Sequence, residues 1–190
     1  MELRTYQREA IEALENFLKE RDDNPCIVLP TGSGKSYVMA EIIRRRIGAS
    51  PLFRCIVLAH RQELVQQNHK EFVELMGVTS GNLAGIYCSG LGKRDVTAQV
   101  IFANIQSVHG KAADFPCFDM ILVDEAHHIP VRNNGEDEKD GNDNGRYRGF
   151  VKAAQNLNRS LRVVGLTATP YRLDVGYVCH KVYVLNEVCY

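Results

Sequence analysis

Apolar positions follow two alternating rhythms along this chain. Short continuous runs occupy Cys26–Leu29, Cys55–Ala59, Val100–Ala103, Met120–Val123 and Leu161–Leu166. Continuous rather than alternating apolar character predicts strands buried on both faces, as in a parallel sheet. Between them the spacing changes to threes and fours. Tyr6–Lys19 carries Ala10, Ile11, Leu14, Phe17 and Leu18, with Thr5 placed to cap the first turn. Ser36–Ile47 carries Val38, Ile42 and Ile43 and meets Gly48, with Pro51 beyond; Glu63–Met76 carries Leu64, Val65, Phe72 and Met76 and meets Gly77. Strands alternating with helices predict an α/β fold, a mostly parallel sheet flanked by helices on both faces.

One stretch has neither rhythm. Asn133–Gly145 contains no apolar residue and cannot bury anything. Residues 132–148 are therefore expected to form a mobile surface loop within a single domain spanning 1–190. No internal repeat and no interdomain linker is visible.

Composition narrows the class. The 190 residues hold 45% hydrophobic and 24% charged residues, as soluble globular domains do. No apolar run is long enough for a membrane span, and the polar N-terminus lacks a signal-peptide core, so a cytoplasmic protein without a membrane partner is expected. The 23 basic and 23 acidic residues cancel. A globally basic nucleic-acid binder is excluded, and any nucleic-acid contact must be local or shared with another domain. None of the six cysteines forms a CxxC pair. Cys26, Cys55 and Cys117 sit in or beside apolar runs and are read as buried and reduced. Cys179, His180 and Cys189 are read as ordinary packing positions in preference to a metal site, because three ligand-type residues at that spacing are a weak signature.

Two motifs carry chemistry. Leu29-Pro30-Thr31-Gly32-Ser33-Gly34-Lys35-Ser36 follows a predicted strand and opens a predicted helix. Small residues there let backbone N–H groups turn inward around an anion, and the helix N-terminus adds partial positive charge. Lys35 is placed to reach the β- and γ-phosphates and the Ser36 hydroxyl to ligate Mg²⁺. The general pattern wants glycine where Leu29 stands. The second motif ends the fourth predicted strand: Asp124-Glu125-Ala126-His127. A buried strand delivers these acids to the carboxyl edge of a parallel sheet, where such sheets bind ligands. Asp124 is the candidate magnesium ligand and Glu125 the candidate for orienting or deprotonating water. His127 could sense the γ-phosphate.

With these in place, the chain resembles superfamily 2 helicases and translocases. Leu29–Ser36 is similar to their motif I, which tolerates a non-glycine at its first position, and Asp124–His127 spells the DEAH form of motif II. Leu166–Pro170 resembles motif III, Val57–Gln66 motif Ia, and Ile105–Ser107 a later nucleic-acid-contacting motif. Leu3–Gln7 resembles an adenine-reading segment. The details look most like the branch of restriction-enzyme motor subunits, XPB-like helicases and RadD-like DNA-repair ATPases; RadD-like proteins are the first choice, from Gly165–Asp174 and the continuation to Tyr190.

The resemblance implies a RecA-like ATP-binding lobe using ATP and Mg²⁺, with DNA a more expected partner than RNA. It implies adenine contacts from Gln7 and Arg4, and phosphate and metal contacts from Pro30, Thr31, Gly32, Ser33, Gly34, Lys35 and Ser36. Metal and water work falls to Asp124 and Glu125, with Lys35 also catalytic. Coupling falls to His127, Thr167 and Thr169, and nucleic-acid contact to His60, Arg61, Gln106 and Ser107. A second RecA-like lobe is expected in a longer protein. Two rival readings are a motor subunit of a restriction-type nuclease complex and a nucleotide-gated switch without motor activity.

Overall fold

The continuous apolar runs become the strands of one sheet. The computed structural model describes residues 3–77, 82–128 and 143–169, together with the backbone of 171–172, 176–177 and 180–184. In chain order the elements are α1 (Thr5–Glu20), β1 (Pro25–Val28), α2 (Lys35–Ala49), β2 (Cys55–Ala59), α3 (Gln62–Met76), β3 (Ala84–Cys88), β4 (Lys93–Arg94), β5 (Val100–Asn104), α4 (Ile105–Val108), β6 (Met120–Asp124), α5 (Asp143–Leu157), β7 (Arg162–Thr167), β8 (Tyr171–Arg172), β9 (Gly176–Tyr177) and β10 (His180–Val184).

Eight strands form the sheet in the order β10-β1-β7-β6-β2-β5-β3-β4. Every pairing is parallel except the edge pair of β3 with β4. β8 and β9 form a separate antiparallel pair. The reason for the unbroken apolar runs is visible in the side chains. In β2, Cys55, Val57 and Ala59 join a core with α1, α2 and α3, while Ile56 and Leu58 join the core on the other face with α4 and α5. β6 divides the same way, Met120 and Leu122 to one side, Ile121 and Val123 to the other. Both faces must be apolar because both are covered.

Parallel pairing has one functional consequence: the loops leaving β1, β2, β3, β5, β6 and β7 all emerge at the same carboxyl edge. That edge is where open α/β sheets place ligands.

Several expectations change. Arg4, not Thr5, occupies the N-cap of α1, and its backbone N–H donates to Gln7 Oε1 at 3.0 Å. Gly48 lies inside the last turn of α2, which runs on to Ala49, whereas Gly77 does end α3 in the left-handed conformation with φ 61°. The loop expected over 132–148 is helical from Asp143 onward, because Tyr147, Phe150 and Ala154 share one buried face of α5; residues 129–142 lie outside the described residues. Cys26 and Cys55 are buried, but Cys117 is exposed in the loop before β6, its thiol 3.8 Å from Leu157 O. Cys179 and Cys189 lie outside the described residues, and of His180 only the backbone is described. No helix among the described residues is long and apolar enough to cross a membrane.

Candidate functional site

β1 runs on into the buried Leu29, whose N–H donates to Thr167 O of β7 at 2.9 Å. The chain then turns through Gly32 and Gly34, both at φ 78°. This left-handed backbone suits glycine, which has no Cβ to clash. Gly34 is the N-cap of α2, and its carbonyl accepts from Tyr37 N and Val38 N. Thr31 and Gly32 face solvent, Pro30, Gly34, Lys35 and Ser36 are half-buried, and Ser33 is buried with its hydroxyl donating to Pro30 O at 2.6 Å.

α1 grips this loop from above. Tyr6 Oη and Gln7 Nε2 both donate to Ser33 O, each at 2.9 Å. Gln7 is buried, and its Oε1 is taken by the Arg4 N–H; Arg4 itself is exposed and reaches the Tyr6 hydroxyl at 3.4 Å. A side chain added at Gly34 would meet Gln7 Nε2 at 2.8 Å, so the loop and the glutamine fit only because position 34 is bare. Beside them opens a cavity of about 370 Å³ lined by Leu3, Arg4, Gln7, the loop glycines, Tyr37 and Leu75. Tyr37 and Leu75 were not anticipated; the position of Tyr37, next to Ser36, was the available signal.

The acidic motif lies against the same loop. Lys35 Nζ is 3.7 Å from Glu125 Oε1. Asp124 ends β6 and is buried, and its Oδ1 accepts from Glu125 N at 3.0 Å. Burial pushes the Asp124 carboxyl above its ordinary value; a hydrogen bond from Asn68 and the charge of Lys35 oppose this, while the charge of Glu125 adds to it. Asn68 had no role in the sequence reading. It is 3% exposed, its Oδ1 accepts from Ser36 Oγ at 3.0 Å, and its Nδ2 donates to Asp124 Oδ2 at 2.9 Å. One amide therefore bridges the hydroxyl of motif I and the carboxylate of motif II.

Glu125 is the one non-glycine residue with positive φ among those described, at 53°. This conformation disfavours an L-residue by about 1–2 kcal/mol. It turns the chain sharply after β6, so that Ala126 folds back over Gly165 of β7. A Cβ at Gly165 would lie 2.7 Å from the Ala126 Cβ. Beyond the turn, His127 Nδ1 is 3.2 Å from Glu125 Oε2 and 2.9 Å from Thr167 Oγ1. The buried Thr167 hydroxyl in turn accepts from Thr169 N at 3.1 Å. Lys35, Glu125, His127, Thr167 and Thr169 thus form one line of polar contacts along the sheet edge.

The remaining candidates sit farther along that edge. Arg61 is the exposed N-cap of α3. Asn104 Nδ2 donates to His60 O, and Asn104 Oδ1 accepts from Gln106 N, which ties the ends of β2 and β5 together. Gln106 is exposed. Ser107 is buried, and its hydroxyl accepts from Ser89 N at 2.9 Å.

The donor set at Ser36 and Asp124, one hydroxyl and one carboxylate, suits a hard oxygen-seeking cation. Magnesium commonly binds through one or two protein oxygens plus water and substrate phosphates. Among the described residues, no group of three or more His, Cys, Asp or Glu could hold a metal without such help.

Comparison with known proteins adds independent findings. The family described as "Type III restriction enzyme, res subunit" matches residues 1–172. The chain is 27% identical over 195 residues to the putative mitochondrial ATP-dependent helicase irc3 of Schizosaccharomyces pombe, covering 100% of the chain and 29% of that protein. It is 27% identical over 184 residues to the DNA 3'-5' translocase XPB2 of Sulfurisphaera tokodaii, covering 97% and 34% respectively. The helicase domain of Pyrococcus furiosus Hef superposes with a TM-score of 0.63 at 23% identity, over 92% of this chain and 36% of that one. The chain spans about a third of the length of each of these relatives.

Proposed function

Because the chain belongs to the type III restriction enzyme res subunit family, within superfamily 2 helicases, we propose that it is the ATP-binding first lobe of an ATP-dependent DNA helicase or translocase. The observation that carries this reading is the meeting of motifs I and II: Lys35 beside Glu125 at 3.7 Å, and Ser36 joined through Asn68 to Asp124. A phosphate cradle, a cation site and a water-positioning carboxylate are the parts that phosphoryl transfer needs.

The geometry supports the following roles. The backbone amides of Gly32, Gly34, Lys35 and Ser36 would meet the phosphates, Ser33 N being taken by Pro30 O at 3.2 Å, and Lys35 would exchange its contact with Glu125 for the phosphate oxygens. Glu125, released from Lys35, is free to accept a hydrogen bond from the attacking water. Ser36 and Asp124 would hold the magnesium ion, which supplies charge neutralisation between the phosphates. Gln7 has one N–H still unassigned after bonding Ser33 O, and Arg4 lies at the same cavity; both face the adenine. His127, Thr167 and Thr169 couple a change at Glu125 to the β7 side of the sheet edge, while the ends of β2 and β5 lie on the other side of β6. There His60, Arg61 and Gln106 contact the nucleic acid, and Ser107 supports the turn at Ser89. DNA is preferred because XPB2 is named a DNA translocase. The relatives' greater length supports a second RecA-like lobe in the working motor, and the resemblance of Gly165–Asp174 to RadD-like ATPases supports a role in DNA repair.

The test is equilibrium binding of a fluorescent ADP in the presence of magnesium, with Lys35→Ala as the control. Saturable binding that Lys35→Ala abolishes supports the reading; binding that Lys35→Ala retains rejects this pocket. The family match also favours a second reading, in which the same lobe drives a nuclease in a restriction-type complex.

A further inference from the structure

We infer that Asn68 is a positioning residue for the magnesium site, orienting the Ser36 hydroxyl and the Asp124 carboxylate through a single side-chain amide. The inference rests on the proposed ATP-binding role and assigns a function to a residue of α3.

The hydrogen-bond directions are fixed by elimination. An ionised carboxylate can only accept, so the group facing Asp124 Oδ2 at 2.9 Å must be the Asn68 NH₂. The other end of the amide is then its carbonyl oxygen, which can also only accept. The Ser36 hydroxyl, 3.0 Å away, must therefore point its hydrogen at Asn68. A hydroxyl that ligates a cation has to turn its hydrogen away and present its lone pairs. Asn68 imposes that orientation in advance. It also ties down one oxygen of Asp124, while Glu125 N ties down the other.

Packing does not explain the choice of residue. Asn68 lies in the middle of α3, which also buries Val65 and Phe72 against the apolar core. A buried amide is unfavourable at such a place unless its polar atoms are bonded. Both bonds described for the Asn68 side chain go to the two candidate magnesium donors. The contacts join a helix to the ends of two motifs that lie 32 and 56 positions away in the chain.

Groups that orient metal ligands typically contribute about 10–100-fold to metal affinity. The experiment titrates Mg²⁺ against the wild type and the Asn68→Ala and Asn68→Leu variants in the presence of fluorescent ADP, with a parallel measurement in EDTA. Asn68→Leu keeps the branched four-atom shape and leaves no cavity, so it separates lost hydrogen bonds from lost packing. The expected result is a Mg²⁺ requirement raised roughly 10–100-fold in both variants, with ADP affinity in EDTA unchanged. An unaltered Mg²⁺ titration, accompanied only by a lower melting temperature, overturns the inference and leaves Asn68 a packing residue. If the wild type itself binds no nucleotide, the ATP-binding reading fails first, and that failure shows without any substitution.

Discussion

Replacing Gly165 by alanine puts a methyl group where the turn after β6 already lies. Gly165 pairs with Val123 of β6 and Cys26 of β1, so its backbone is held on both sides in the middle of the sheet. The new Cβ would stand 2.7 Å from the Ala126 Cβ and 3.4 Å from the Cys26 Sγ. Comfortable carbon contacts begin near 3.5 Å, so about 1 Å of movement is needed. Neither neighbour yields easily: Ala126 follows the strained Glu125, and His127 is held on Thr167. Overpacking of this kind costs about 1–3 kcal/mol. For a domain of this size each kcal/mol lowers the melting temperature by about 2–4 °C, so a drop of roughly 2–12 °C is expected. Circular dichroism melts and denaturant midpoints measure it. Because the turn carries Glu125, affinity for Mg-ADP should fall with it. Ala126→Gly removes the atom that the methyl meets, and a double-mutant cycle should return a coupling of about 0.5–3 kcal/mol. A Gly165→Ala protein that melts with the wild type, or a cycle with no coupling, refutes the reasoning.

Two further outcomes follow from the same edge. Gly34→Ala forces a left-handed L-residue against Gln7 Nε2, which should break the Gln7–Ser33 contact, destabilise the fold by about 1–2 kcal/mol and weaken ADP binding in fluorescence titrations. Asp124→Asn removes the pH-dependent cost of ionising a buried carboxyl, while its NH₂ is set against one of the two N–H donors from Asn68 and Glu125, a loss that does not vary with pH. Burial raises the folded-state value of this carboxyl, so its favourable contribution is complete below the unfolded value of about 3.9 and is lost as pH rises through the folded value. The melting temperature of the variant relative to the wild type should therefore rise between pH 3–4 and neutral pH, and a difference that stays constant with pH contradicts this.

The strands buried on both faces were legible because their apolar runs are unbroken; Cys55–Ala59 was read with its observed ends. β3 escaped because Ala84 and Gly85 dilute its apolar signal. Gly85 is itself required, since the Asp95 carboxyl occupies the space a side chain would need. α5 left a trace in Tyr147, Phe150 and Ala154 at spacings of three and four, but the polar run before it hid the start. At the site, the phosphate loop and the acidic pair were visible because local backbone chemistry demands glycine, lysine and carboxylates in sequence. Asn68 was not visible. Its partners lie on β6 and at the start of α2, and only the folded chain brings a mid-helix asparagine to them.

The left-handed backbone at Glu125 sets two selective pressures against each other. A library randomised at that codon and sorted for folded yield should drift toward glycine or asparagine, the residues that tolerate the angle. The same library sorted for ATP turnover should hold glutamate. The distance between the two winners measures how much robustness the molecule has given up at a single position in order to aim one carboxylate.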